Sequence, residues 1–258
     1  MHLDDTLLER IAEKRLVRFA RLLAEEFGSL YPKRCRIVGK NNLHLFCHGC
    51  CKDAYILGAT NYGELKSYAF VAWHLGVGFA RDPYYRQIQT IFASEDDFDE
   101  KMQKISALMF EAYFLHDKHE VESYTKALQR ILTLNLKKLT SLQNYMQIAQ
   151  VLENIYPQRV KAMGGVEHIS TVLVSICKEH IVRYNINHPL GIFIYSALTF
   201  FLGSNVANDP LYGWVGKYLQ STELKMASKI DILIKVIQKR ARNEKRSLEK
   251  ILRDKDHG

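Results

Sequence analysis

Glycine and proline are scarce in this sequence, 14 and 5 of 258 residues, and that scarcity argues against an all-β chain with closely spaced tight turns. No stretch reaches the roughly 18 uninterrupted apolar residues that a membrane span calls for. The most apolar run, Ile192 to Leu202, is short and reads as a buried helix. The first residues, Met1-His2-Leu3-Asp4-Asp5, lack a basic region followed by an apolar core, so no secretory signal is expected. Cysteine is odd in number, with three of the five crowded at positions 47, 50 and 51, which suits a reducing compartment better than a disulfide framework. Phosphate loops, dinucleotide fingerprints, nucleophile elbows and zinc helices of the H-E-x-x-H type are all missing. The expectation is a non-catalytic protein without a cofactor.

The sequence does hold an internal repeat. Leu75-Gly76-Val77-Gly78-Phe79-Ala80-Arg81-Asp82-Pro83-Tyr84-Tyr85 returns as Leu202-Gly203-Ser204-Asn205-Val206-Ala207-Asn208-Asp209-Pro210-Leu211-Tyr212, an offset of 127 without a gap. Leu30-Tyr31-Pro32-Lys33-Arg34 is answered by Ile155-Tyr156-Pro157-Gln158-Arg159, and Cys51-Lys52-Asp53 by Cys177-Lys178-Glu179. Matches in the same order with little drift point to a tandem duplication, so residues of one copy can be tested against the other.

Hydrophobic spacing makes each copy helical. Leu7, Leu8, Ile11, Leu16, Phe19, Leu22, Leu23 and Phe27 mark one face of a helix over 7–31. Further helices are expected over about 42–57, 62–75, 84–92 and 95–116. Asn61 would cap the third, Gly76 and Gly78 would end it, and Asp82-Pro83 would start the fourth. The second copy repeats the order over about 142–156, 166–184, 188–202, 210–219 and 223–252. The fold class is therefore all-α: two tandem bundles of about five helices, residues 1–118 and 140–258, packed together through a helical connector at 119–139.

Arg18-Phe19, Tyr31-Pro32, Tyr62-Gly63, Tyr68, Val71, Leu75-Gly76, Phe79, Asp82-Pro83, Ile88 and Ile91 form a pattern. It resembles that of small helical proteins of unassigned activity encoded beside bacterial type VI secretion effectors. In that group a Tyr-Gly pair opens a helix that ends in Gly-x-x-Phe-x-x-Asp-Pro. The resemblance spans residues 7–115; the second copy departs from it, with His188-Pro189 in place of Tyr-Gly and Val206 in place of Phe79. It implies a bacterial, cytoplasmic accessory protein acting near an effector, as an adaptor or chaperone for loading or as an immunity protein that neutralises a toxin.

Several residues invite chemistry. Cys47 and Cys50 form a C-x-x-C pair beside His44 and His48, a weak zinc or redox candidate. Their counterparts in the second copy are Leu173, Ile176 and, for His48, Val174, so a packed helix face is the preferred reading. His116-x-x-His119 reads as a helix boundary, and Asp82 and Asp209 read as caps rather than a carboxylate pair. Tyr84, Tyr85, Tyr212, Trp214 and Tyr218 combine apolar area with a polar handle, as interface anchors do, and are candidates for binding a partner or for packing the repeats.

The net charge is +8, and residues 225–258 carry eleven Lys or Arg against five Asp or Glu, a local +6. That basic last helix, with Lys239, Arg240, Arg242 and Arg246, would steer an acidic partner. The leading expectation is a protein-binding module whose partner is a secreted effector or toxin. Nucleic-acid binding through the basic helix is the alternative, with no aromatic residues interleaved for base stacking.

Overall fold

The computed structural model describes the backbone of residues 5–112 and 118–256 and the side chains of residues 10–109, 121–250, 252 and 253. Among the described residues there are fourteen α-helices, two 3-10 turns and no strand, so the chain is all-α. No described helix is long and apolar enough to cross a membrane.

The helices fall into two compact units, and neither is a continuous half of the sequence. The first contains α1 (Asp5–Leu30), α2 (Pro32–Val38), α3 (Lys40–Ile56), α4 (Tyr62–Leu75) and the 3-10 turn Phe79–Arg81. It continues with α5 (Arg86–Phe92) from Gln87 and with α6 (Phe98–Ala112) as far as Ser106. It also takes in Asn205–Gly216 from the second sequence copy, which includes the 3-10 turn Pro210–Tyr212 and the start of α13 (Gly213–Leu219). Helix α3 packs against α1, α2 and α4, and the late 3-10 turn packs on α2 and α3.

The core of this unit is aromatic. The Phe27 ring centroid lies 4.6 Å from that of Trp73, 4.9 Å from Phe70 and 5.9 Å from Phe46. Trp73, Phe27 and Phe46 are fully buried, and rings at such offsets gain interaction beyond their buried area.

The second unit contains Pro83–Arg86 from the first sequence copy, the end of α6 from Ala107, α7 (Lys118–Leu132), α8 (Leu136–Leu139) and α9 (Tyr145–Ile155). It continues with α10 (Pro157–Ala162), α11 (Gly165–Tyr184), α12 (Pro189–Leu202) and, from Lys217, the end of α13 and α14 (Met226–Asp256). Helix α11 packs against α9, α10 and α12, while α14 packs along α7 and α12. Val121 and Leu128 of α7 meet Ala241 and Leu248 of α14 in a buried cluster. The buried Lys229 donates to the Leu219 carbonyl at 2.9 Å, which ties the start of α14 to an otherwise unsatisfied carbonyl at the end of α13.

Local chemistry accounts for the boundaries. Proline opens both α2 and α10, after Tyr31 and Tyr156, where its missing N–H costs no helical bond. Asn61 and Glu64 close a reciprocal capping box at α4, and His188 Nδ1 accepts from the Leu190 amide at α12. Helices α4 and α12 end at Gly76 (φ 97°) and Gly203 (φ 100°), a backbone conformation that only glycine adopts without strain.

Several boundaries differ from the sequence expectation, among them the 210–219 helix, which is the 3-10 turn Pro210–Tyr212 followed by α13. The segment after each Tyr-Pro is a short helix of its own. The connector is two helices, α7 and α8. Asp82 closes the 3-10 turn Phe79–Arg81, and α5 begins only at Arg86. Asp209 is a cap as expected, accepting from the Leu211 amide at 2.8 Å.

Candidate functional site

The repeated residues converge on one arrangement, found once in each unit. In the first unit the half-buried Arg34 donates to the Trp73 carbonyl at 2.9 Å and to the Tyr212 hydroxyl at 3.4 Å. Its guanidinium lies 4.3 Å from the Trp73 ring centroid. In the second unit Arg159 donates to the Phe200 carbonyl at 3.1 Å and to the Tyr85 hydroxyl at 3.3 Å. Its guanidinium lies 5.5 Å from the Phe200 ring. Trp73 and Phe200 stand near the ends of α4 and α12, where the last carbonyls have no helical partner. A guanidinium there satisfies a carbonyl, complements the helix dipole and stacks on a ring. In each case the tyrosine comes from the other sequence copy. The repeat is thus a device for capping a helix and seating a returning segment, and it needs no substrate to explain it.

The same positions differ in polarity. In the second unit the Tyr84 hydroxyl meets Thr199 Oγ1 at 3.1 Å, and Thr199 donates to the Ser196 carbonyl at 2.9 Å. Ser196 Oγ in turn lies 3.6 Å from Cys177 Sγ. In the first unit the equivalent residues, at offsets of 126 and 127, are Leu211, Ala72, Ala69 and Cys51. Positions that carry a hydrogen-bonded chain in one unit hold buried apolar residues in the other.

Asp209 is buried and accepts the Val77 amide at 3.0 Å as well as that of Leu211. Burial pushes its pKa up to about 6, against the pull of these two amides and of Arg34. Both carboxylate oxygens are occupied by the backbone, so Asp209 acts as a structural acceptor.

Four of the five cysteines are packed in the interior, and Cys35 is half-buried. Cys47, Cys50 and Cys51 are fully buried along α3. Burial pushes the Cys51 thiol up to about 12 and the Cys47 and Cys50 thiols well above their ordinary value. A metal or disulfide partner needs the thiolate, which this setting suppresses. His44 is half-buried, and His48 Nε2 pairs with Glu13 at 3.1 Å. Among the described residues, no three His, Cys, Asp or Glu side chains are grouped so as to hold a metal. The His116/His119 pair falls outside the described side chains.

The aromatic candidates do not share one exposed surface. Tyr84 and Tyr85 are buried in the second unit, where Tyr218 is half-buried. Tyr212 and Trp214 are half-buried in the first unit. The basic candidates are different: Lys239, Arg240, Arg242 and Arg246 are all exposed on α14.

One surface was missed from sequence. Ile37 on α2 and Leu45, Tyr55 and Ile56 on α3 are 69%, 60%, 53% and 68% exposed. At about 100° per residue, Leu45, Gly49, Lys52 and Ile56 form one row along the helix, opposite the buried Phe46, Cys47, Cys50 and Ala54. Glu13 of α1 pairs with His48 and Lys52 beside it. A helical wheel of α3 carries the signal, because apolar residues fall on both faces.

Compared with family models, with curated proteins and with solved structures, the chain finds no match.

Proposed function

We propose that this protein is a non-catalytic binding module that holds a protein partner on the outer face of α3 in its first unit. The observation that carries the reading is the exposure of Leu45, Tyr55 and Ile56 on that helix, with Ile37 on the helix before it. Single exposed apolar residues are ordinary. Leu45 and Ile56 share one row of the helix, Tyr55 stands about 90° to its side, and Glu13, His48 and Lys52 place polar groups among them. Aromatic and aliphatic anchors set among polar side chains have the composition of an interface. The corresponding residues of α11 are Thr171, Ile181 and Val182, and of these only Val182 is an exposed apolar side chain. One copy of the repeat therefore carries the surface.

This face lies inside residues 7–115, which resemble the accessory proteins of type VI secretion effectors. On that resemblance the partner is a secreted effector, and the role is that of a cytoplasmic adaptor or chaperone in a bacterium. We read the whole as a tandem duplication; the matched Arg34 and Arg159 arrangements support that reading.

The test is affinity capture with tagged full-length protein from its native cells, with nuclease and at two salt concentrations, followed by mass spectrometry. One stoichiometric protein should be recovered by the parent and lost by Leu45→Glu/Ile56→Glu, whose circular dichroism should match the parent's because both side chains are exposed. Retention of the partner by that variant, or recovery of no stoichiometric protein, would refute the proposal. A captured toxin rather than a loading domain would make the role immunity.

A further inference from the structure

Helix α14 carries a second surface of a different kind. Lys235, Lys239, Arg242, Arg246, Lys250 and Arg253 are exposed, and their spacing of three or four residues keeps them in line. At about 100° per residue they fall within an arc of roughly 80°, and at about 1.5 Å per residue the row runs for roughly 27 Å. Ile230, Leu233, Ala241 and Leu248 are buried on the opposite side of the helix. Asp231 and Glu249 only border the row, and Glu249 is paired with Lys245 at 2.6 Å, to one side of it.

We infer that this row binds the phosphate backbone of a nucleic acid, without regard to sequence. Three observations choose that occupant. From Lys235 to Arg253 the arc contains no apolar side chain, so it lacks the buried anchors that supply most of the energy of a protein interface. A phosphate backbone needs only a series of cations, and counterion release supplies the affinity. A membrane surface would need the apolar face of α14 turned outward, and that face is buried against α7. Lysine and arginine alternate with polar residues such as Asn243 and Ser247, and no aromatic side chain stands in the row to stack on a base. The bound form is therefore a duplex contacted at its phosphates. This inference rests on α14 alone and is independent of the α3 face.

The experiment uses the full-length protein and a labelled duplex DNA, a duplex RNA and a polyglutamate chain of similar length, with binding followed by anisotropy between about 50 and 200 mM salt. Both duplexes should bind, with log K falling against log salt at a slope of about −5, near 0.9 per phosphate contact. Lys239→Glu/Arg242→Glu/Arg246→Glu should lower affinity on the order of a hundredfold and roughly halve the slope. The glutamine triple variant should do so more mildly. Lys14→Glu, an exposed charge reversal on α1, should bind as the parent does. Circular dichroism identifies a variant that has unfolded, in which case the glutamine variant decides. Three results would overturn the inference: no duplex binding at the lowest salt, duplex binding insensitive to both triple variants, or polyglutamate binding as tight as either duplex.

Discussion

The two units solve the same problem with different polarity. Each caps a core helix, α4 or α12, with an arginine, Arg34 on Trp73 or Arg159 on Phe200, and each fixes a returning tyrosine on that arginine. Behind this shared frame, Tyr84, Thr199 and Ser196 form a hydrogen-bonded chain in the second unit. Leu211, Ala72 and Ala69 occupy the equivalent positions of the first. Buried hydroxyls are tolerated only when paired, so each returning segment matches the helix it meets. The difference teaches that the repeated residues maintain architecture. The positions that differ between the copies include the buried Tyr84–Thr199 pair and residues on the outer faces of α3 and α14.

Removing the ring beneath each arginine breaks the comparison most severely. Trp73→Ala and Phe200→Ala each delete a fully buried ring and should each cost about 3–5 kcal/mol in chemical denaturation. A cost near zero for either one would mean that the two arrangements are not equivalent.

The second test concerns acid. Because Asp209 titrates near pH 6 when folded, against an ordinary 3.8, the folded state binds more protons than the unfolded chain between those values. Its contribution to stability therefore rises as pH falls from about 7 to about 4, by about 3 kcal/mol. His168 and His180, whose pKa values are lowered by burial, act in the opposite sense below their ordinary value of 6.5. The informative quantity is thus the parent's stability minus that of Asp209→Asn, measured by urea denaturation at several pH values. That gap should widen on acidification; a constant gap would show that Asp209 has no raised pKa.

The smallest effect sharpens the polarity contrast. Thr199→Ala and Tyr84→Phe should each cost about 1 kcal/mol, and together less than the sum, because they share one hydrogen bond. Strict additivity in the double-mutant cycle would argue that the Tyr84–Thr199 bond contributes nothing.

Much of the fold was legible in sequence. Apolar residues at helical spacing give α1, α4, α9, α12 and α14. The Asn61 and Asp209 caps and the Gly76 stop are local chemistry that acts within a turn of the chain. The basic character of α14 and the packed nature of Cys47 and Cys50 were also readable, the latter because the second copy has Leu173 and Ile176 there. The start of α5 was not, since Asp82-Pro83 is as good a helix start as Asp209-Pro210, and the chain makes a 3-10 turn before Asp82 instead. For Tyr84 and Tyr85 the sequence left packing and partner binding both open, because amphipathic side chains suit a core as well as a surface, and the structure buries both.

By itself the sequence determined the helices and their caps, because these depend on residues within a few positions of one another. The tertiary structure decided that residues 83–86 complete the second unit and 205–216 the first. It also decided that Tyr85 and Tyr212 anchor to arginines 74 and 178 residues away. No local preference specifies which helix a returning segment meets; that follows from the burial of rings and the pairing of hydroxyls, which exist only once distant parts of the chain are brought together.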